Sequence, residues 1–269
     1  MTWGSFSNIH LLTLAIAVLV NVLIYLILKR NTRAKQILAL FVLSLIGVAF
    51  VLYTMLADKD NIIRNLPLHF WALNMLILPF AVLTREKSIC NLLLIWSAGS
   101  VVSLVFNTAM ANVELLSFEF LIYFTMHMFG AGIPILLFEL GLVKRDTKTV
   151  QSTIGLSVIA YVLVHCANLL INSANGWTVS DGVNYMSTLE PTSSLLSFFY
   201  AIMPAPFWYM LLALPVLCLY VLYWYLPEIL DERRRRRPLR TKLKDIDRYY
   251  EEYEEKYIEE ILDKKYRSR

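Results

Sequence analysis

Four histidines, His10, His69, His127 and His165, stand within or beside long apolar runs of this chain. An imidazole surrounded by hydrocarbon is costly to keep, and it is also the side chain best suited to moving a proton near neutral pH. Asn74, Asn107 and Asn168 lie among the same runs, and Asp181, Asn184, Tyr185 and Glu190 follow in a polar segment after the sixth. Such groups serve acid–base work and hydrogen bonding to a polar ligand, or they only cross-link helices at about 0.6 kcal/mol per bond. For His10, close to a helix end, cross-linking is the stronger reading. His165 and Cys166 are adjacent, so on a helix they point about 100° apart and make a poor base and nucleophile couple. No His-x-x-x-His or similar ligand spacing occurs, so neither a metal nor another cofactor is expected.

The elements that carry these residues follow from composition. Of 269 residues 58% are hydrophobic and 17% charged, and the mean hydropathy is +0.56, far from a soluble domain of this size. Runs of roughly 20 apolar residues match a bilayer core of about 30 Å. They fall at Ile9 to Leu28, Ile37 to Leu56, Leu66 to Leu83, Ile89 to Phe106, Phe118 to Leu142, Val150 to Ile171 and Ala205 to Leu226. Lipid leaves no partner for an unpaired backbone group, and the runs do not alternate as barrel strands do, so the expected fold is all-α: a polytopic membrane bundle of seven transmembrane helices. It occupies residues 1–227, and residues 228–269 form a charged tail.

Twenty-three of the 25 Lys and Arg follow the first, third, fifth and seventh runs, whereas the other side has only Lys59 and Arg64. Basic loops stay in the cytoplasm, which puts the amino terminus outside and the tail inside a cell membrane. All four histidines then fall in the outer halves of their helices, His127 about 14 Å and His165 about 10 Å along them. The run Leu195 to Met203 is too short to cross and reads as a short interfacial or re-entrant helix. Arg233, Arg234, Arg235, Arg236 and Arg237 begin the tail, where each cation gains about 1 kcal/mol from an anionic leaflet. Leu243, Ile246, Tyr250, Tyr253, Tyr257 and Ile261 recur at three- and four-residue intervals, the pattern of an amphipathic helix that lies in solvent or on the membrane, recruits a cytoplasmic protein, or self-associates. Twelve acids against fourteen bases in the tail argue against a nucleic acid partner.

Several short motifs stand in order: Leu66-Pro67-Leu68-His69, Phe124 to His127, Asn168, Asn184-Tyr185-Met186 with Pro191, and Pro206-Phe207-Trp208-Tyr209. In these the chain resembles the YwaF-type integral membrane family of bacteria, related to the animal transmembrane protein 164 family. The animal relatives are implicated as acyltransferases that remodel phospholipids through a cysteine carrier and an activating histidine. The resemblance makes His127 the candidate base and His69 a second proton carrier or orienting group. Where many bacterial relatives carry cysteine, two residues after His69, this chain has Trp71, so either Cys166 substitutes as a weak nucleophile candidate, or His69 and His127 act directly on a lipid acyl group, or the chain does no acyl transfer.

These residues suit two functions. The first is lipid acyl transfer or remodelling in an outward-facing polar cavity, with Trp71, Asn74, Asn168, Asn184, Tyr185, Trp208 and Tyr209 as binding groups and membrane lipids as partners. The alternative is a non-catalytic protein that binds or transports a lipid or solute and whose tail recruits a partner.

Overall fold

The computed structural model describes residues 2–57, 59–107 and 110–267, and the side chains of 59, 60, 235–245, 247 and 259–267 lie outside the described residues. Among the described residues eight α-helices are connected in the order α1 Asn8–Lys29, α2 Arg33–Leu56, α3 Phe70–Thr84, α4 Lys87–Val105, α5 Phe118–Glu139, α6 Thr147–Asn175, α7 Ser194–Ile202 and α8 Leu214–Arg267. Among the described residues six segments are long and apolar enough to cross a bilayer: α1, α2, α4, α5, α6 and Trp208–Arg234, a 3-10 turn leading into α8. This is a multi-pass membrane protein. α7 occupies the short apolar run expected to be interfacial or re-entrant.

The third expected span differs. Its helix begins at Phe70 rather than Leu66 and has 15 residues, about 22 Å at the helical rise. Pro67 and an extended backbone at His69 hold the four preceding residues out of the helix. The last span also starts later, because Phe207 adopts φ 67°, ψ −52° while the Trp208 N–H donates to the Pro206 carbonyl at 2.8 Å. This is the rare positive-φ γ-turn, a strained link that breaks the run.

Helix starts follow local chemistry. Ser7, Ser117, Glu86 and Asp146 accept from the first free N–H groups of α1, α5, α4 and α6. Gly176, at φ 67°, ends α6 in the left-handed conformation. Helix α5 is the hub and packs against α1, α2, α3 and α4. Its Gly130 and Gly132 permit that closeness: a Cβ on Gly130 would stand 2.7 Å from Ser100 Oγ, and one on Gly132 would overlap the Asn21 amide. Gly132→Val is therefore expected to destabilise the bundle by about 1–3 kcal/mol, read as a lowered midpoint of detergent unfolding. Gly99→Val, whose Cβ meets nothing within 4 Å, should leave the midpoint unchanged.

The chain divides into two compact units after Tyr223. In the second unit α8 continues as helix through Pro227, so the composition break does not end it. Arg233 and Arg234 are exposed there, as are Ile246, Tyr250, Tyr253 and Tyr257. The side chains of Arg235, Arg236, Arg237, Leu243 and Ile261 lie outside the described residues.

Candidate functional site

The expected histidines separate by what their nitrogens do. In His10 both are used: Nδ1 accepts from the Phe6 N–H at 2.9 Å, and Nε2 donates to the Leu104 carbonyl at 2.8 Å. Beside it Trp3 is fully buried and donates to Thr13 Oγ1, so this corner is a structural plug. His127 is different. A carbonyl can only accept, so its Nδ1, 2.8 Å from the Tyr123 oxygen, carries the ring proton and Nε2 keeps a free lone pair. His69 is the opposite tautomer, because its Nδ1 accepts from the Met186 N–H at 3.1 Å and the proton must sit on Nε2. One ring is therefore poised as a base and the other as a neutral donor.

Trp71 joins them. Its indole stacks on His69 with ring centroids 6.0 Å apart and lies 5.5 Å from His127, which also rests 4.1 Å from the Tyr123 ring. The two candidate catalytic residues thus share one indole.

His69, Trp71 and Tyr123 line a cavity of about 470 Å³ at one end of the bundle. Helix α2 supplies Val51, Tyr53 and Thr54, α5 supplies Phe118, Glu119, Ile122 and Met126, and the stretch before α3 supplies Arg64 to Pro67. His127 is buried behind Trp71 and Tyr123 and does not line this space.

The expected binding groups mostly hold the wall together. Asn168 Oδ1 accepts from the Tyr185 N–H at 3.0 Å, and its amide donates to the Tyr185 carbonyl and Thr188 Oγ1, each at 2.9 Å. Asn172 pairs in the same way with both backbone groups of Val183. Asn184 accepts from Leu189 N–H and donates to the Glu190 carbonyl. The Tyr185 hydroxyl donates to the Ile63 carbonyl and the Tyr209 hydroxyl to that of Ser187. Burial pushes the Tyr185 phenol up to about 12, so it remains a donor at any ordinary pH. These bonds hold Met186 and Ser187 at positive φ of 54° and 53°, a conformation that costs about 1–3 kcal/mol per residue unless the surroundings enforce it. One product of that enforced bend is the Met186 N–H aimed at His69.

Other expected residues lie elsewhere. Asn74 donates to the Gly130 carbonyl at 3.0 Å and ties α3 to α5, Trp208 is exposed, and His165 meets Thr188 Oγ1 at 3.0 Å and Phe207 at 4.9 Å between ring centroids. Cys166 and Cys218 are exposed, and Cys90 is buried with its thiol 3.6 Å from the Ala81 carbonyl. The ring contacts of His69 and His127 are with Trp71, Tyr185 and Tyr123, and no thiol stands at the Trp71 position. Among the described residues no three His, Cys, Asp or Glu side chains converge as a metal site. Sequence reasoning passed over Tyr123, whose place one helical turn before His127 was the available signal, and over Arg64, Glu119 and Thr188.

The motifs around His69, Asn168, Tyr185 and Phe207 thus meet at one end of the bundle. The sequence profile of the TMEM164 family matches residues 5–225. The chain belongs to the TMEM164 family. No curated protein and no solved structure matches it. The family match covers α1 to α7 and the first part of the last apolar segment, and it stops at Tyr225, leaving the rest of α8 outside it.

Proposed function

We propose that this TMEM164-family protein, which we place in its YwaF-type bacterial branch, takes a membrane lipid into the cavity and exchanges its acyl group. What carries this reading is the complementary pair of imidazoles, His127 with a free lone pair and His69 with a free N–H, flanking Trp71. In a direct transfer the hydroxyl of an acceptor lipid adds to the ester carbonyl carbon of the donor while His127 Nε2 takes its proton. The His69 N–H then stabilises the oxyanion, and His127 returns the proton to the departing alcohol oxygen as the old ester bond breaks. The Trp71 indole must swing aside for His127 to act, so it serves as a gate. The test is reconstitution with an isotope-labelled donor phospholipid and an unlabelled lysophospholipid, followed by mass spectrometry. Wild-type protein should produce mixed species, and their absence would remove catalysis from the account.

A second reading, non-catalytic lipid binding, is favoured by the indole that fills the space where relatives are read to carry a thiol. Tail deletion after Pro227 separates them: chemistry in the membrane domain survives it, whereas a recruiting function, through a cytoplasmic protein or a second copy, does not.

We read α3 as a seventh, short crossing, with the cavity outside and the basic loops inside. The support is the charge distribution over alternate loops. A thiol placed at exposed Ser180 by Ser180→Cys should react with an impermeant maleimide on intact cells, and reaction only after permeabilisation would invert the orientation.

A further inference from the structure

Among the described residues the cavity lining carries one cation and one anion, Arg64 and Glu119. Both side chains are exposed, and among the described residues neither carries an ion pair. They are not equivalent to solvated surface charges. The Arg64 guanidinium lies 4.7 Å from the Trp177 ring centroid, a contact that orients it and leaves its N–H edge for two oxygens of an oxyanion. Glu119 stands in the first turn of α5, where it complements the helix dipole. The rest of the lining is largely apolar, from residues such as Val51, Ile122 and Met126, and it includes His69 and Trp71. Tyr53 and Phe118, both exposed, meet edge to face at 5.0 Å and close the cavity between α2 and α5.

A ligand that satisfies this lining needs an acidic group for Arg64, a cationic group for Glu119 and an apolar tail. A purely anionic amphiphile leaves Glu119 facing like charge, and an uncharged one leaves both charges without a partner. We infer that Arg64 and Glu119 read the head group, and that the lipid taken up is zwitterionic, its phosphate on Arg64 and its ammonium on Glu119. This rests on the lipid-handling reading and adds which lipid the cavity selects.

The experiment uses the full chain in detergent and compares binding of three probes with one acyl chain: lysophosphatidylethanolamine, lysophosphatidic acid and monoacylglycerol. Native mass spectrometry reads the bound fractions. The zwitterion should bind at least about tenfold more tightly than either of the others, a difference of about 1.4 kcal/mol. Glu119→Gln should erase the preference over lysophosphatidic acid, and Arg64→Gln should weaken both phosphate-bearing lipids. Unchanged monoacylglycerol binding reports that the cavity is intact in each variant. Equal binding of all three probes, or a preference that survives both substitutions, would overturn the head-group assignment. Binding is read without turnover: a preference in a protein that exchanges no acyl groups keeps this inference and removes catalysis, whereas exchange without preference does the reverse. If no probe binds, both fall.

Discussion

His127→Ala is expected to lower acyl exchange in vesicles by a factor of about 10²–10⁴, the range over which a positioned general base accelerates proton transfer. The size follows from the position of the ring. His127 is buried, its Nδ1–H is held by the Tyr123 carbonyl, and Nε2 is the one lone pair it can offer. An alanine leaves no base among the groups around Trp71, since His69 keeps its proton on Nε2 while Met186 holds Nδ1. His127→Gln, similar in size but unable to take a proton, should lose as much. Exchange within a factor of about three of wild type in either variant would show that His127 packs α5 and does not act as a base, since packing alone lacks that dependence on proton affinity.

The second large effect concerns stability. Asn168→Leu should destabilise the fold by about 3 kcal/mol, because three hydrogen bonds disappear and the buried N–H and carbonyl of Tyr185 lose their partner. The consequence reaches the site. With Tyr185 released, the positive-φ bend at Met186 and Ser187 relaxes and the Met186 N–H leaves His69. Limited proteolysis between Asn175 and Ser193 should accelerate together with the drop in unfolding midpoint. Asn175→Leu is the comparison: this exposed amide reaches only the Ile171 carbonyl of its own helix, and its loss should stay within about 0.5 kcal/mol. Equal effects of the two substitutions would mean that Asn168 does not hold the loop.

Much of the fold was legible because hydropathy over about 20 residues reports on lipid directly. The positions of α1, α2, α4, α5 and α6 agree with their apolar runs to within about a turn at each end, the largest differences being the extra turn at the start of α2 and the one at the end of α6. The start of α3 was not legible, since Leu66, Pro67 and Leu68 are as apolar as a helix, and the contact that fixes His69 comes from Met186, far along the chain. That His69 and His127 meet around one indole was not legible from depth, because His10 and His165 were expected at similar depth and bond instead to Leu104 and Thr188. The work done by Asn168 and Asn184 was not legible either, because an amide among apolar residues reads the same whether it awaits a ligand or clamps a loop, and only the folded backbone distinguishes them. Arg64 and Glu119 were hidden for another reason. In sequence they are two ordinary loop and helix-start charges, and they acquire meaning only where the ends of α2 and α5 enclose a cavity.

A bifunctional phospholipid, carrying a photoreactive group in its acyl chain and an alkyne for capture, puts the site itself to the test in native membranes. Peptide mapping should place the cross-links within residues 51–72 and 118–126, and His69 and Trp71 substitutions should reduce them. Labelling spread instead over the outward faces of α1 and α6, unchanged by those substitutions, would mean that lipid only surrounds this protein and does not enter it.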